Sequence, residues 1–225
     1  MIISIMFHNG DKGKSLALSK LIADIEPNRR DDVLLALVSQ PGTDLAGVRD
    51  AVNYCSSKMP SIAFTSGRQP LGANGTAELW CGAVDYFYAN PCGHSSIFLV
   101  DGGDSVPLRA TWIDDLIAEH TKTLADGRII TGCHSNKIIE LSVWDILPAL
   151  RSMTSIPGGA VPSWEYDYDD IITPHMFRTV AIYNEWNSRT GISVEGLRGR
   201  AARSAWSHGW KDTDLVDKAR ELILG

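Results

Sequence analysis

Cysteine is scarce in this sequence, and the positions of its cysteines argue against a zinc site and against a disulfide framework. Four cysteines occur among 225 residues, and no two of them form a Cys-x-x-Cys pair. Structural zinc sites need closely spaced ligands, and disulfide frameworks are typical of short, cysteine-rich secreted chains, so the sequence indicates neither, and reduced thiols in a cytoplasmic protein are the simpler interpretation. The four positions are Cys55, Cys81, Cys92 and Cys133.

A long hydrophobic run, a basic leader and a positive net charge are also missing. The N-terminal apolar run, Ile2 to Phe7, falls far short of the ~20 residues that cross a bilayer, so it predicts a buried strand and no membrane partner. The formal net charge of −6 gives no general attraction for nucleic acid, although a local basic groove is compatible with it. Internal repeats and low-complexity segments are absent from the sequence.

What the sequence does contain is an alternation of short apolar runs with segments of helical periodicity. Strands that alternate with helices favour parallel pairing, so residues 1–125 predict a mainly parallel, doubly wound α/β sheet flanked by helices. The half from 126 to 225 is less regular, and we interpret 1–225 as a single domain. The predicted strands of the first half are Ile2 to Phe7, Val33 to Val38, Ile62 to Phe64 and Ile97 to Val100.

An Asp-Gly-Gly-Asp segment follows the fourth predicted strand. Asp101 and Asp104 are separated by two glycines, which let the backbone approach a ligand closely. Hard carboxylate oxygens on a tight loop suit Mg²⁺ or Mn²⁺, and such an ion can bridge the phosphates of a nucleotide. An ordinary turn with one capping aspartate explains the spacing equally well.

A second polar segment near the C-terminus places His208 three residues before Lys211. A neutral imidazole can complete a metal shell, and an ammonium group can neutralise phosphate oxygens as a point charge. A surface histidine and lysine are the plainer explanation when this segment is considered alone.

Together, segments spread over most of the chain resemble small GT-A-type glycosyltransferases, including phage-encoded members. The resemblance implies a GT-A-like, Rossmann-like fold, with the nucleotide-sugar bound by residues 1–125 and the acceptor side in 126–225. It implies that Asp104 is the metal-binding aspartate, that His208 is a further metal ligand and that Lys211 contacts the diphosphate. The matching segments are Phe7 to Asp11, Arg68 with Gly72 and Asn74, Leu99 to Leu108 with Trp112, Ile130 to Gly132, and His208 to Asp212.

The chain departs from the family pattern at one position. The usual acidic motif has a carboxylate two residues before the metal-binding aspartate, where this chain has Gly102 and Asp101 is displaced by one. Asp101 is therefore expected to reach the metal or the ribose less directly than Asp104.

Position and resemblance together indicate further contacts to a nucleotide-sugar donor, with a UDP-sugar expected and Mn²⁺ or Mg²⁺ as cofactor. Asp11 and Arg68 have plain alternatives, since Asp11 can cap the following helix and Arg68 can be a solvated loop charge. The predicted donor contacts are His8, Asn9, Asp11, Arg68, Asn74, Asp101 and Lys211.

The acceptor side is predicted from an acidic and aromatic cluster between Trp164 and Asp170. An inverting transferase needs a carboxylate that deprotonates the acceptor hydroxyl, and Asp167 and Asp169 are the candidates, followed by Glu165. A solvated acidic loop is the alternative. The phage resemblance makes a hydroxymethylated pyrimidine in DNA a plausible acceptor, with a glycan or a protein as the others.

A P-loop nucleotide site is the competing prediction. The segment His8 to Ser15 follows a strand, opens a helix and ends in Gly-Lys-Ser, and Asp101 ends an apolar strand as the Mg²⁺-binding aspartate of such enzymes does. Histidine stands where the motif has its first glycine, and this interpretation leaves the C-terminal segment without a role.

Overall fold

The computed structural model describes residues 1–68, 76–133, 136–142 and 173–225. The residues named above that lie outside the described residues are Gly72, Asn74, Trp164, Glu165, Asp167, Asp169 and Asp170.

The first half of the chain forms the predicted parallel core of the large sheet. The strands β1 (Ile2–Phe7), β2 (Leu34–Ser39), β3 (Ser61–Thr65) and β4 (Ser96–Asp101) pair in the order β3-β2-β1-β4, all parallel. The three inner strands of this core, β1, β2 and β4, are mainly apolar and buried, as expected where both faces of a parallel sheet are covered, whereas β3 at the edge is partly exposed. The helices between them are α1 (Lys12–Ile25), α2 (Val48–Cys55) and α3 (Thr76–Ala89).

Alternate residues of these strands enter two separate apolar cores. On one face, Ile3 and Ile5 pack in a core that includes residues of α1 and α2. On the other face, Ile2 and Met6 pack in a core that includes Trp80 of α3. The sheet is therefore covered by helices on both faces, which is the doubly wound arrangement that the sequence predicts.

The later part of the chain extends the sheet with three more strands, one of which runs antiparallel to its neighbours. After β4 come β5 (Ser105–Pro107) and α4 (Trp112–Ala125), then β6 (Ile130–Cys133) and β7 (Asn136–Glu140), and β7 pairs antiparallel with both β4 and β6. A short 3-10 turn, Thr173–His175, leads to β8 (Met176–Arg178), which lies parallel to β6. The full order is β3-β2-β1-β4-β7-β6-β8, a mixed and mainly parallel sheet.

A second, three-stranded sheet holds the C-terminal segment. It contains β9 (Ile182–Arg189) and β10 (Trp206–Trp210), two strands that the sequence did not predict, in the order β5-β10-β9. Two helices, α5 (Val194–Ala201) and α6 (Leu215–Leu224), complete this part. Trp206 anchors β10 to the main core, since its ring centroid lies 4.8 Å from that of Trp112 and 5.2 Å from that of Phe98.

The chain reverses its direction of travel across the sheet between β1 and β4. From β1 the chain moves outward through β2 to β3, and then returns to place β4 on the other side of β1. Ligands of such sheets bind beyond the carboxyl ends of the strands at this reversal. The residues that directly follow the two strands are His8 and Gly102. Within the described residues, no helix is long and apolar enough to cross a membrane.

Candidate functional site

The Asp-Gly-Gly-Asp loop joins β4 to β5 and lies against the start of α1. A Cβ atom added at Gly102 would overlap the Ser15 hydroxyl and would lie 2.7 Å from Cγ2 of Ile5. A Cβ at Gly103 would lie 2.9 Å from Cβ of Asp11. Both glycines are therefore required by close packing, and no carboxylate can occupy position 102 without moving α1.

Three potential metal ligands meet beside this loop. One side-chain atom each of Asp101, Asp104 and His208 lies within 4.8 Å of the other two. The Nε2 atom of His208 is 4.0 Å from Oδ2 of Asp101. Asp104 is 5% exposed and His208 is 7% exposed. The geometry thus brings together the two predicted metal ligands and also the aspartate that the family pattern leaves displaced.

Pairing of β10 with β5 brings the C-terminal segment to the loop. His208 lies opposite Ser105, and the backbone N–H of Gly209 donates to the carbonyl oxygen of Asp104 at 3.1 Å. Gly209 has a φ of 97°, and a Cβ there would overlap the carbonyl oxygen of Glu185. Glycine therefore allows the bend by which β10 delivers His208 and Lys211 to the same place.

The orientation of the His208 ring is set by a residue that sequence reasoning missed. Nδ1 of His208 lies 2.6 Å from Oδ1 of Asn184 on β9. An amide oxygen only accepts hydrogen bonds, so Nδ1 is the donor in this contact; in the neutral imidazole the lone pair is then on Nε2, which faces Asp101. Histidine ligands of metal ions are commonly oriented by such a contact on the other ring nitrogen.

Lys211 completes the group by forming an ion pair with Asp104. Burial and the nearby carboxylate of Asp101 raise the pKa of Asp104 above its usual value, while the Lys211 ammonium opposes this shift. The Lys211 side chain is about half exposed, so its head group can move to another anion.

A cavity of about 360 Å³ opens at this point, between the ends of β1 and β4. Asp11 accepts a hydrogen bond of 2.7 Å from the backbone N–H of His8, and burial raises the pKa of Asp11 to about 6, with Asp101 adding to the rise. Charged and polar side chains that line the cavity are His8, Asp11, Lys14, Asp101, Asp104 and Lys211.

Asn136 is a second residue that the sequence did not single out. Its Oδ1 atom accepts from the backbone N–H of Asp101 at 3.3 Å, and its Nδ2 atom donates to the Ser105 hydroxyl at 3.3 Å. Asn136 is fully buried at the start of β7 and thereby ties both ends of the acidic loop to the neighbouring strand. A lone asparagine carries no motif that could have revealed this role.

Two predicted donor contacts are engaged elsewhere. Oδ1 of Asn9 accepts from the backbone N–H of Asp44 at 2.8 Å, outside the cavity lining. Nε of Arg68 donates to Oδ2 of Asp85 on α3 at 2.8 Å. The structure therefore brings His8, Asp11 and the C-terminal segment to one site but does not bring Asn9 and Arg68 into its lining.

The loop from His8 to Asp11 does not form a phosphate cradle in the described segment 1–68. The backbone N–H groups of His8 and Gly10 donate within the loop, to Oδ1 of Asp11 and to Nδ1 of His8 at 2.9 Å. The Ser15 hydroxyl is buried and donates to the carbonyl of Asp11 at 3.1 Å. A P-loop needs these groups for phosphates and Mg²⁺, so the geometry disfavours the competing prediction.

Comparison with solved structures identifies the fold. An active-site mutant of LgtC superposes with a TM-score of 0.62 at 10% identity, covering 99% of this chain and 95% of that one. Mouse xyloside xylosyltransferase 1 superposes with a TM-score of 0.54 at 10% identity, covering 93% of this chain and 98% of that one. The glycosyltransferase GlyE of Streptococcus pneumoniae gives 0.56 at 9% identity, covering 98% of this chain and 59% of GlyE.

The fold is thus a GT-A-like glycosyltransferase fold, as the resemblance in sequence implies. At identities near one in ten, the likeness concerns the fold alone. No family model matches the chain, and no curated protein matches it in sequence.

Proposed function

We propose that this protein is a metal-dependent glycosyltransferase, which moves a sugar from a nucleotide-sugar donor to an acceptor hydroxyl. The observation that carries the proposal is the convergence of Asp101, Asp104 and His208 at the strand reversal of a GT-A-like sheet. Lys211 lies in the same group. A metal site and a cation side by side are what a diphosphate leaving group requires.

The three side chains fit a divalent cation by their chemistry. Two carboxylates and a neutral imidazole supply oxygen and nitrogen donors, a combination that favours Mn²⁺ over the strictly oxygen-preferring Mg²⁺. The ion would neutralise charge that develops on the departing diphosphate. Asp104, now paired with Lys211, would be a ligand, and the ammonium would then be available to phosphate oxygens.

The donor site is proposed to be the cavity between β1 and β4. Its volume of about 360 Å³ lies within the range of small-molecule sites. His8 and Asp11 line it at the end of β1, where we propose that the nucleoside binds. A UDP-sugar is the proposed donor, and both hexosyl and pentosyl groups are compatible with the site.

The acceptor side rests on residues outside the described part of the chain. Asp167 and Asp169 remain our candidates for the base that deprotonates the acceptor hydroxyl, with Glu165 next, provided that the enzyme inverts the anomeric centre. A hydroxymethylated pyrimidine in phage DNA is the proposed acceptor. The sequence resemblance supports this choice, and a glycan or a protein is the alternative.

A thermal-shift screen tests the donor assignment. UDP-, GDP- and other nucleotide sugars are added to the protein with Mn²⁺ or with EDTA. A ligand that binds only the folded state at 100 times its Kd adds about 2.7 kcal/mol of stability. We expect a UDP-sugar to raise the melting temperature in Mn²⁺ and not in EDTA. If no donor raises it, the proposal is contradicted.

Hydrolysis separates an enzyme from a protein that only binds nucleotide sugars. Transferases with this leaving-group chemistry can pass the sugar slowly to water when no acceptor is present. Release of UDP from the stabilising donor, in Mn²⁺ and not in EDTA, would support transfer. Binding without any release, with each acceptor class supplied, would leave a non-catalytic binder as the better account.

A further inference from the structure

Lys14 is a cavity residue that the proposed function has not used. It lies in the first turn of α1, far in sequence from the C-terminal segment, yet its Nζ atom lies 3.4 Å from the carbonyl oxygen of Lys211. The Lys14 side chain lines the same cavity as Asp101 and Asp104. Two lysines from opposite ends of the chain therefore reach one edge of the candidate donor site.

The neighbouring Lys12 shows a different arrangement. Its ammonium forms an ion pair of 2.5 Å with Oδ2 of the exposed Asp44 and does not line the cavity. Within residues 1–68, 76–133, 136–142 and 173–225, no carboxylate lies within 4.0 Å of Lys14 Nζ. A cation that contacts only a neutral carbonyl at the edge of a binding cavity is placed to meet an anionic ligand.

The balance of charge in the site points to the same role. Asp101 and Asp104 together offset a divalent cation, and Asp11 lines the same cavity with a third carboxyl group. The diphosphate bridge of a nucleotide-sugar carries two further negative charges, and departure of the sugar adds another to the nucleoside diphosphate. Lys211 alone neutralises one of these charges. Among the described residues, the lysines that line the cavity are Lys211 and Lys14, so Lys14 supplies the second ammonium group.

We propose that Lys14 is a second phosphate-contacting cation of the donor site, which acts on the nucleoside diphosphate together with Lys211. The proposal rests on the proposed function and names a residue of the same site. The Gly-Lys-Ser segment then has a role other than that of a P-loop. Its lysine, in the first turn of α1, contacts the diphosphate of a glycosyltransferase donor.

Three proteins test the proposal: the wild type, Lys14→Ala and the matched control Lys12→Ala. The dissociation constants of UDP and uridine are measured in Mn²⁺, by calorimetry and by NMR titration. For Lys14→Ala we expect UDP binding to weaken by about ten-fold, the effect of losing one charge-assisted contact. Uridine binding should stay unchanged, because uridine carries no phosphate. Lys12→Ala should match the wild type with both ligands.

The outcomes separate this proposal from the proposed function. Wild-type affinity for UDP in Lys14→Ala would overturn the role of Lys14 and leave the metal site intact. An equal loss of UDP and uridine binding would also overturn it, because it would indicate a structural contact to the Lys211 backbone. Failure of the wild type itself to bind UDP in Mn²⁺ would contradict both proposals. Lys14→Arg, which retains the cation, should recover most of the UDP affinity.

Discussion

Asn184 of β9 holds Nδ1 of His208 at 2.6 Å and so directs the other ring nitrogen of His208 toward Asp101. The two residues lie opposite each other on adjacent parallel strands. The geometry of the candidate metal site therefore depends on the register between β9 and β10. Sheet pairing, and not only the acidic loop, decides whether three ligands meet.

Substitution of Asn184 should weaken the metal site without removing a ligand. In Asn184→Ala the imidazole loses its acceptor, so its proton and its orientation are no longer fixed. We expect Mn²⁺ affinity to fall by roughly 10- to 100-fold, as when outer contacts of metal ligands are removed. Competition by Mn²⁺ against a fluorescent chelator measures this. Asn184→Asp keeps an acceptor oxygen and should retain most of the affinity; equal affinity in Asn184→Ala and the wild type would contradict the role of Asn184.

Packing of α1 on the acidic loop should make Gly102 intolerant of any side chain. In Gly102→Ala the new methyl group meets Ser15 and Ile5, and such overpacking costs about 1–3 kcal/mol of unfolding free energy. Gly13→Ala is the matched control, because nothing lies within 4 Å of a Cβ at this helical position. Alanine there should leave stability unchanged or raise it by up to about 1 kcal/mol. Urea denaturation compares the two, and similar effects would show that the loop does not pack as described.

The raised pKa of Asp11 predicts a stability that depends on pH. Burial raises the pKa of the Asp11 carboxyl to about 6 in the folded protein, above its ordinary value of 3.8, which applies in the unfolded chain. The folded state therefore binds the proton more tightly, and the associated stability is present below about pH 4 and is lost as the pH rises through 6. Asp11→Asn removes the charge and can still accept from His8. We expect a gain on the order of 1–3 kcal/mol at pH 7.

Urea denaturation at two pH values checks this sign. The gain from Asp11→Asn should largely disappear at pH 4, where the wild-type carboxyl is protonated in the folded state. A gain of equal size at both pH values would show that charge burial is not its cause. If Asp11→Asn also loses UDP binding, the destabilising carboxylate of Asp11 contributes to the donor site.

The parallel core could be predicted because three of its four strands, β1, β2 and β4, are buried on both faces. The run Ile2–Phe7 is apolar apart from Ser4 and is followed by polar residues and a helical pattern, so its predicted bounds agree with the structure. Trp206–Trp210 mixes aromatic and polar residues and includes a glycine, and therefore does not resemble a strand. The antiparallel strand β7, Asn136–Glu140, was missed as well. Its sequence, Asn-Lys-Ile-Ile-Glu, contains only two apolar residues.

The sequence indicated several residues of the candidate site but not the contacts that bring them together. Asp104 and His208 were found because their segments carry motifs, but their proximity depends on the register of β10 against β5. Such long-range pairing is not encoded in the spacing of one sequence. Asn184 and Asn136 were missed because each acts through a tertiary contact. Lys14 belongs to a Gly-Lys-Ser segment that suggests a P-loop, and only the fold shows that it lies beside Lys211.

We propose above that Asp104 and its neighbours hold a metal ion that is needed for donor binding. Calorimetric titration of UDP into the wild type, with Mn²⁺ and then with EDTA, tests it most directly, alongside Asp104→Ala and Asp101→Ala. We predict UDP binding by the wild type in Mn²⁺ alone, its loss in Asp104→Ala and a weakened affinity in Asp101→Ala. UDP affinity that is the same in Mn²⁺ and EDTA, or that survives Asp104→Ala unchanged, would contradict the account.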